Sequence, residues 1–580
     1  MDLSIGRMRW LRVGTLFAGI AMVLAACGTS QNNNGGGQAQ NGGTLIWALD
    51  ADASSLNPFV FGDLPSARVI KFLFPNLYNG DKNLNIVPGL ADGMPQVSSD
   101  GTVWTVKIKK NAKWSDGSPI TADDVIETEK LQADPNLDTD GGYDWSALKS
   151  IDKVDDTTVK YTLNNPFAPF LAVNLTGYIA PASVYGKVDP AKQRTLGTPQ
   201  APPTVFGGAY KLDKWIPGQE LDMSANTSFY AGRPHYDKVI AKIITDATAA
   251  ANALINNDVQ WHPSLGEGGA GAVSKAKQSS NVAVHTYQDL GYIDFRMNER
   301  AGHLFDKKET RQALASALDK ESIVQAATQG AGAPLWGDIV PASWAYDAGS
   351  IVKYPLDINK AKSYMQQAGW TIGSDGVATR TLPNGCSDCV TPVAPGGTQK
   401  FVGKIRVRAG KPDRLKAAEI ISDQLKQIGM QLTPDPVDFK IFYAPVMKGQ
   451  FDAIIAGFSL TLDPDDYLTA ASSQLQPEHH SGQNWTGYSN PQLDQLIDQE
   501  RSTVKSSDSA TKSARKAIFN QIEKIISGDL QTYMLWADVS SQGWSTNVGG
   551  VEAGNGDNTI YTDSNYNDQV VAQWYSKNGK

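Results

Sequence analysis

Cysteines carry the clearest chemistry in this chain, and the first of them is placed to be acylated. Cys27 directly follows Leu24, Ala25 and Ala26, at the end of an apolar run that comes after three arginines. A basic stretch, a short apolar stretch and small residues before a cleavage point are typical of a secretory signal. A cysteine at that point is typical of a bacterial lipobox, although an ordinary signal with a chance cysteine is the alternative. We expect residues 1–26 to be a signal peptide and Cys27 to carry a lipid such as palmitate, which anchors the chain outside the cell membrane.

The other two cysteines, Cys386 and Cys389, form a C-x-x-C pair. Such a pair serves as half of a zinc site, as a redox pair or as a local disulfide. A zinc site needs two more ligands, and the six histidines are distant in sequence. A redox pair opens a helix after a strand, whereas prolines and glycines surround this one. An extracytoplasmic location favours a small loop disulfide, and we expect no metal and no cofactor.

Motifs for catalysis are weak in this sequence. Ser150 and Lys153 have the S-x-x-K spacing, but they precede a predicted strand and have no S-D-N or K-T-G companion. The sequence has no G-x-S-x-G and no H-E-x-x-H. The glycine-rich stretch at 266–271 lacks the strand and helix that would make it a phosphate cradle. We therefore expect no enzyme; a secreted hydrolase is the rejected alternative.

Composition indicates a large, tethered, acidic protein. Residues 27–43 are rich in Asn, Gln and Gly and predict a flexible tether. More than 500 residues follow, which is too many for one hydrophobic core, so several domains are expected. The formal charge changes from −8 to −10 when 1–26 is removed, because three arginines and Asp2 leave with it. An acidic chain without basic clusters binds nucleic acid poorly, so no such partner is expected.

Strand and helix patterns interleave along the whole chain, which predicts an α/β protein. Strand patterns lie at 44–49, 103–109, 157–163, 239–245, 292–297, 404–408 and 451–458, with two more strands inside 210–222. Helix patterns lie at 247–256, 308–318, 320–328, 359–368, 414–428, 492–502 and 513–526, and one more helix begins at Thr121.

Several sequence blocks occur in the order found in one family. They lie at 42–58, 87–125, 207–230, 306–319, 451–468 and 484–494, and include K-W-S-D-G-S-P-I-T-A-D-D-V at 113–125. Together they cover nearly all of residues 42–540. The ordered set resembles the dipeptide and oligopeptide type of ABC-importer solute-binding proteins, solute-binding protein family 5.

The resemblance implies an α/β fold of two lobes, of the periplasmic-binding-protein type, with an extra small domain on the first lobe. Two chain crossings near 291–298 and 532–541 would form a hinge, and the lobes would close on a ligand. The expected division is 44–80 and 181–295 for lobe I, 81–180 for the extra domain, 296–535 for lobe II, and 536–580 for the return to lobe I.

The resemblance also implies a transport role. The chain would capture a small molecule, a di- or oligopeptide in the first instance, and deliver it as a monomer to the permease and ATPase subunits of an ABC importer. An oligosaccharide or a nickel chelate is the alternative cargo on the same fold. A ligand receptor for a sensor is the alternative role.

Relatives line the cleft with a glycine–aromatic pair, which corresponds here to Gly457 and Phe458. The backbone there can pair with an extended peptide. Peptide binders carry an Asp two or three residues later for the ammonium, but Leu460 and Thr461 stand at those positions. Asp463 could substitute for it, or could instead cap a helix before a proline. The expected ligand-binding residues are Trp47, Asn57, Phe59, Gly457, Phe458, Ser459, Asp463, Asn484 and Trp485.

Overall fold

The computed structural model describes residues 39, 41–81, 83–137, 145–465, 467–475, 482–551 and 568–578. Cys27, the predicted signal peptide at 1–26 and most of the predicted tether at 27–43 lie outside the described residues. A search of the described helices found none with the length and apolar character needed to span a membrane.

Strands and helices alternate along the chain, as the α/β prediction requires. The strands are β1 (Thr44–Leu49), β2 (Tyr78–Gly80), β3 (Ile86–Pro88), β4 (Gln96–Val97), β5 (Val103–Lys107), β6 (Leu148–Asp155), β7 (Thr158–Leu163), β8 (Tyr210–Ile216), β9 (Glu220–Ala225), β10 (Lys238–Ile243), β11 (Trp261–His262), β12 (Val282–Met297), β13 (Ala333–Pro334), β14 (Thr371–Ile372), β15 (Ala378–Leu382), β16 (Gly397–Lys400), β17 (Val402–Arg408), β18 (Gln431–Val437), β19 (Ala453–Ser459), β20 (Thr532–Ser545), β21 (Val548–Gly549) and β22 (Tyr575–Ser576). The α-helices are α1 (Leu64–Leu73), α2 (Ala122–Gln132), α3 (Phe170–Val173), α4 (Ala247–Ile255), α5 (Gly269–Gln278), α6 (Lys308–Ala317), α7 (Lys320–Ala327), α8 (Ile358–Gln367), α9 (Pro412–Leu425), α10 (Phe439–Val446), α11 (Tyr467–Ala470), α12 (Pro491–Ser502), α13 (Asp508–Asp529) and α14 (Asp568–Gln573). Short 3₁₀ helices lie at Tyr185–Lys187, Pro190–Thr195, Leu265–Gly268, Lys426–Ile428 and Ser472–Gln474.

One sheet of 11 strands runs through both lobes. Its order is β18-β17-β19-β12-β20-β11-β1-β10-β9-β8, and β13 pairs with β20 beside this path. The strands β1, β8, β9, β10 and β11 belong to the hydrophobic core that we call lobe I. The strands β17, β18 and β19, with helices α6 to α9, enclose the main core of lobe II.

The strands β12 and β20 cross from one lobe to the other. They pair antiparallel over nearly their full lengths of 16 and 14 residues. On β12, Leu290 and Tyr292 pack into the lobe I core, whereas Phe295 and Met297 pack into the lobe II core. The predicted crossings at 291–298 and 532–541 fall on these two strands.

The paired strands are irregular at the boundary between the lobes. The register shifts between Gln288 and Tyr292, which bends a pair of strands locally. Gly291 lies at this bend, where a Cβ atom would stand 2.6 Å from Oδ2 of Asp538. A larger residue there would force the Asp538 carboxylate to shift.

A separate four-stranded sheet, in the order β4-β5-β7-β6, lies within the predicted extra domain at 81–180. Helix α2 packs against it and begins after Thr121, as predicted. The Thr121 backbone N–H donates to Oδ2 of Asp124 at 2.9 Å, which satisfies a donor at the start of the helix.

The two lobes are packed against each other, so this is a closed form. Leu335, Val340 and Leu462 precede the return crossing in the chain, yet they are buried in the lobe I core. Phe458 and Leu460 pack against the same core from the end of β19. Burial of these apolar side chains stabilises the closed arrangement.

Candidate binding cleft

The strands of lobe I run toward lobe II. β11 is antiparallel to β20, with Trp261 opposite Trp544 and His262 opposite Gly543. β1 is parallel to β11, and β10 is parallel to β1. The amino-terminal end of β20 lies in lobe II, and β11 runs opposite to β20. The carboxyl ends of β11 and of the parallel strands β1 and β10 therefore face lobe II.

The strands of lobe II run toward lobe I. β19 is antiparallel to β12, from Ala453 opposite Met297 to Ser459 opposite Gly291. β17 is parallel to both β18 and β19. Carboxyl ends of strands from both lobes therefore face one another, and this is where open α/β sheets bind ligands. We call the region between them the interlobe cleft.

Phe458 stands at the lobe II wall of this cleft and is half-buried. Its ring centre is 5.0 Å from that of Trp485 and 6.1 Å from that of Tyr292. The guanidinium carbon of Arg296 lies 3.6 Å from the Phe458 ring centre, a cation–π contact. Arg296 is held in turn by Asp294, whose Oδ2 accepts from Nε at 2.8 Å. The structure thus brings Phe458 and Trp485 together around a fixed cation.

The space over Gly457 is occupied by Arg414. A Cβ atom on Gly457 would stand 2.6 Å from Nη2 of Arg414 and 2.8 Å from Cδ1 of Ile293. Arg414 itself is half-buried, and its Nε has no hydrogen-bond partner within the described part of the chain. In the closed form the closest neighbour of Gly457 on this side is therefore a guanidinium.

The outer edge of β19 is open beside Arg414. β17 pairs with β19 at Ala453, Ile454 and Ile455 only, as far as the described residues extend. The last residues of β19, through Ser459, pair with β12 on the other side. The backbone from Ala456 onward therefore presents an edge that an extended chain could join.

Arg414 was missed in the sequence, although a signal for it existed. It lies in the first turn of α9, and Lys411 occupies the N-cap position of that helix. Cations near the amino terminus of a helix oppose its macrodipole, so such residues are placed there at a cost in stability. With Asp413 between them, Lys411 and Arg414 leave one net positive charge at this helix start, which is a reason to expect an anionic group nearby.

The lobe I wall contains a buried polar cluster. Nη1 of Arg68 donates to Oγ of Ser264 at 2.7 Å and to Oδ1 of Asp50 at 3.2 Å. His262 is 2% exposed, and neither of its ring nitrogens has a hydrogen-bond partner among the described residues. Burial, with the Arg68 charge as a second cause, lowers the pKa of His262 to about 4. The imidazole is therefore neutral at physiological pH.

Trp47 lies in the core of lobe I and not on the cleft surface. Its side chain is fully buried, with ring centres 4.9 Å from Trp261 and 5.9 Å from Phe72. Trp544 continues the stack at 4.9 Å from Trp261. Trp47 lies in the family-like block at 42–58, but alternation along β1 points its side chain into the core.

Asn57 and Phe59 are also internal. Nδ2 of Asn57 donates to the Gln193 carbonyl at 2.8 Å, and Oδ1 accepts from the Phe59 N–H at 3.0 Å. The Phe59 ring meets Tyr185 edge to face at 5.4 Å. These contacts hold the loop after β1 and leave neither side chain for a ligand.

Asp463 belongs to a buried ion network. Its two carboxylate oxygens accept from both terminal nitrogens of Arg515, and Nη2 lies 2.7 Å from Oδ1. Nε of Arg515 donates to Glu500 at 2.9 Å. The three side chains are at most 5% exposed. Both readings of Asp463 are therefore wrong: its charge is already paired, and the next helix, α11, begins only at Tyr467.

Asn484 is a structural residue as well. Its Nδ2 donates to the carbonyls of Ala470, Ala471 and Tyr488 at 2.9–3.3 Å, and the residue is fully buried. It joins two loops of lobe II and faces no cleft. Ser459 ends β19 at the cleft, but its side chain lies outside what the structure describes.

The lobes meet at a second place, which we call the outer contact. Arg501 lies near the end of α12 in lobe II, and its carbonyl accepts from the Ala168 N–H at 2.6 Å. Its guanidinium carbon lies 4.7 Å from the ring centre of Phe167, within the predicted extra domain. Asp465 holds the same guanidinium at 3.3 Å. This contact joins α12 to the segment that contains Phe167 and Ala168.

Comparison with known proteins agrees with this architecture. The family model described as "Bacterial extracellular solute-binding proteins, family 5 Middle" matches residues 85–477, which is most of the chain. The chain belongs to this family of bacterial extracellular solute-binding proteins.

Named relatives span nearly the same length. The chain is 28% identical to the oligopeptide-binding protein AppA of Bacillus subtilis (strain 168) over 494 residues, 83% of this chain and 86% of the relative. It is 24% identical to the dipeptide-binding protein of Escherichia coli (strain K12) over 487 residues, 79% and 84% of the two chains.

Solved structures share the two-lobed fold. The structure of Bacillus subtilis AppA with a nonapeptide matches with a TM-score of 0.74 and 26% identity, over 93% of this chain and all of that one. NikZ from Campylobacter jejuni with Ni(L-His) matches with a TM-score of 0.74 and 21% identity, over 92% and 99% of the two chains, which supports the fold alone.

Proposed function

We propose that this protein captures a peptide in the interlobe cleft and delivers it to the membrane permease of an ABC importer. Membership in a family of extracellular solute-binding proteins supports the capture role. The naming of relatives as oligopeptide- and dipeptide-binding proteins supports a peptide as the cargo.

The observation that carries the peptide proposal is the open edge of β19 beside Arg414. An extended peptide adds to such an edge through backbone hydrogen bonds, which fit peptides of many sequences. The half-buried Phe458 ring, backed by the buried Trp485 ring, provides an apolar surface for its side chains. Arg414 provides a charged donor for a carboxylate oxygen of the peptide.

Arg414 replaces Asp463 as the charged residue in this proposal. The peptide's carboxylate, rather than its ammonium, becomes the group that is recognised by charge. The amino terminus of α9 adds its own positive end at the same place. Peptides with a free carboxyl terminus should therefore bind better than the same peptides with a terminal amide.

The test is calorimetric titration of Arg414→Ala and of a control, Lys416→Ala, with a peptide that binds the wild type. Lys416 lies on the same helix, is exposed and pairs with Glu419 at 3.4 Å. Loss of one charged hydrogen bond is worth about 1.5–3 kcal/mol, so Arg414→Ala should weaken binding about 10–100-fold. The control should bind like the wild type. Equal affinity in both variants would overturn the role of Arg414.

A second variant tests the geometry at Gly457. A tryptophan there must displace the Arg414 guanidinium and fill the edge of β19, so Gly457→Trp should abolish peptide binding in a protein that stays folded. Amidation of the peptide's carboxyl terminus should cost affinity in the wild type and nothing further in Arg414→Ala. If amidation and Arg414→Ala lowered the affinity additively, Arg414 would contact some other part of the ligand.

We further propose that Cys27 carries the lipid that holds the protein at the outer side of the cell membrane. The basic stretch, the apolar stretch and the small residues before Cys27 support this. A tethered capture protein stays close to the permease that it supplies.

A further inference from the structure

Folding brings a histidine to the C-x-x-C pair. Cys386 and Cys389 lie in the loop between β15 and β16, and the structure has them joined as a disulfide. His303 lies 83 residues earlier in the chain, in the loop after β12. The two sulfurs and a ring nitrogen of His303 all lie within 4.8 Å of one another. This juxtaposition supplies the third ligand that the sequence did not reveal.

Nε2 of His303 is buried near this cluster, and the nearest carboxylate oxygen, on Asp388, stands 3.6 Å away. The His303 side chain is 2% exposed, and Nε2 has no hydrogen-bond partner within the described ranges. A buried polar atom without a partner is costly, which makes it a candidate for a ligand contact. The acceptor lone pair of a neutral imidazole is what a metal ion requires.

Asp388 completes a set of four donors. One carboxylate oxygen lies 3.6 Å from Nε2 of His303, and the other lies 3.4 Å from Sγ of Cys386. The side chain is 70% exposed, so it can turn toward an ion without breaking the core. Thiolate sulfur, imidazole nitrogen and carboxylate oxygen are all ligands of Zn²⁺ in proteins, and four of them fill its tetrahedral coordination.

The backbone around the cluster is held without help from the disulfide. Cys386 and Val393 exchange backbone hydrogen bonds at 2.7 and 2.8 Å. Arg380, on β15, donates to the His303 carbonyl at 2.7 Å, and Gln399, on β16, donates to the Gly302 carbonyl at 2.9 Å. The same strand pair therefore positions both the cysteine loop and the histidine loop.

We propose that His303, Cys386, Cys389 and Asp388 form a Zn²⁺ site that is available only when the disulfide is reduced. A dithiol reductant gives two electrons and two protons to the disulfide and becomes a disulfide itself. The two thiols then lose their protons as both sulfurs bind Zn²⁺. The hard oxygen of Asp388 favours Zn²⁺ over Cu⁺ in this set.

The oxidised and metal-bound states exclude each other. In the disulfide, the two sulfurs are bonded to each other, so neither is a thiolate that could bind a metal ion. Thiolates about 2.3 Å from one tetrahedral zinc stand about 3.8 Å apart, which small side-chain rotations achieve. Because the disulfide closes a ring over a sequence separation of only 3, its reduction alone should barely change stability.

The experiment titrates the purified full chain with Co²⁺, which reports thiolate coordination by its charge-transfer absorption, and then displaces it with Zn²⁺. In the oxidised chain neither Cys386 nor Cys389 should react as a free thiol, and the chain should bind no Co²⁺. After reduction with a dithiol and removal of the reductant, it should bind one equivalent. Cys386→Ser should lose the charge-transfer band, and His303→Gln and Asp388→Asn should each weaken binding at least about tenfold.

His285→Gln is the matched control, since His285 is only half-buried and lies on β12 away from the cysteines. It should bind like the wild type. If His303→Gln folds poorly, Asp388→Asn still tests the site, because that side chain is exposed. A reduced wild-type chain that binds no Co²⁺, or that binds it equally well in the His303 and Asp388 variants, would overturn the proposal.

Discussion

The Asp463 network predicts that removing one charge harms folding more than ligand binding. Asp463 accepts two hydrogen bonds from the Arg515 guanidinium in a site that is at most 5% exposed. Breaking a buried pair by removing one partner costs about 3–5 kcal/mol. Glu500 still holds Arg515 in Asp463→Asn, so we take the lower figure of about 3 kcal/mol.

Thermal unfolding is the assay, followed by calorimetric titration of the folded variant with peptide. A lobe of this size changes in Tm by about 2–4 °C per kcal/mol, so Asp463→Asn should melt about 6–12 °C below the wild type. Its peptide affinity should stay within about twofold, because the carboxylate faces Arg515 and not the cleft. Arg515→Met should be worse, since it leaves two buried carboxylates without their cation.

An exposed ion pair is the control. Asp423 pairs with Lys426 at 3.2 Å, and its side chain is 81% exposed. Asp423→Asn should cost no more than about 0.5 kcal/mol. If Asp463→Asn melted like this control while losing peptide affinity about tenfold or more, Asp463 would be a ligand contact and our assignment would be refuted.

Three further predictions follow from other parts of the chain. The pKa of His262 is lowered from 6.5 to about 4 in the fold, so the neutral imidazole contributes stability above pH 6.5 that is lost as pH falls toward 4. Between pH 7 and 4, the unfolding free energy of the wild type should therefore fall by about 3 kcal/mol more than that of His262→Gln. Denaturation at a series of pH values measures this difference. Cys27→Ser should lose metabolic palmitate labelling and membrane association; equal labelling would exclude the lipobox. Phe167→Ala should lower Tm, because the side chain is 4% exposed and belongs to the lobe I core, and should also weaken peptide affinity about three- to tenfold, since its contact with Arg501 is worth about 1 kcal/mol; unchanged calorimetric affinity would contradict this.

Much of the fold could be predicted because its strands and helices carry local signals. The alternating polar and apolar residues at 404–408 and the N-cap at Thr121 lie where the structure has β17 and the start of α2. The prediction of a strand at 292–297 was too short, since β12 begins at Val282. Residues 282–291 mix apolar and polar side chains, and they are held as a strand by pairing with β20, some 250 residues away.

The binding residues were harder to predict because their partners are distant in sequence. Asp463 looked like a helix cap or an ammonium ligand, and only folding reveals Arg515 52 residues later. Likewise, His303 is 83 residues from Cys386, so spacing could not join them. Among the predicted ligand-binding residues, Phe458 and Trp485 do contact each other in the structure, with ring centres 5.0 Å apart. Their role as ligand contacts stays a prediction.

The most direct test of the central claim is affinity selection from a defined mixture of peptides and oligosaccharides. Wild-type protein is incubated with the mixture, separated by gel filtration and unfolded, and the released molecules are identified by mass spectrometry. Peptides should be retained by the wild type and by Lys416→Ala, and lost from Arg414→Ala. Retention of oligosaccharides instead, or of no component by the wild type, would contradict the peptide-capture account.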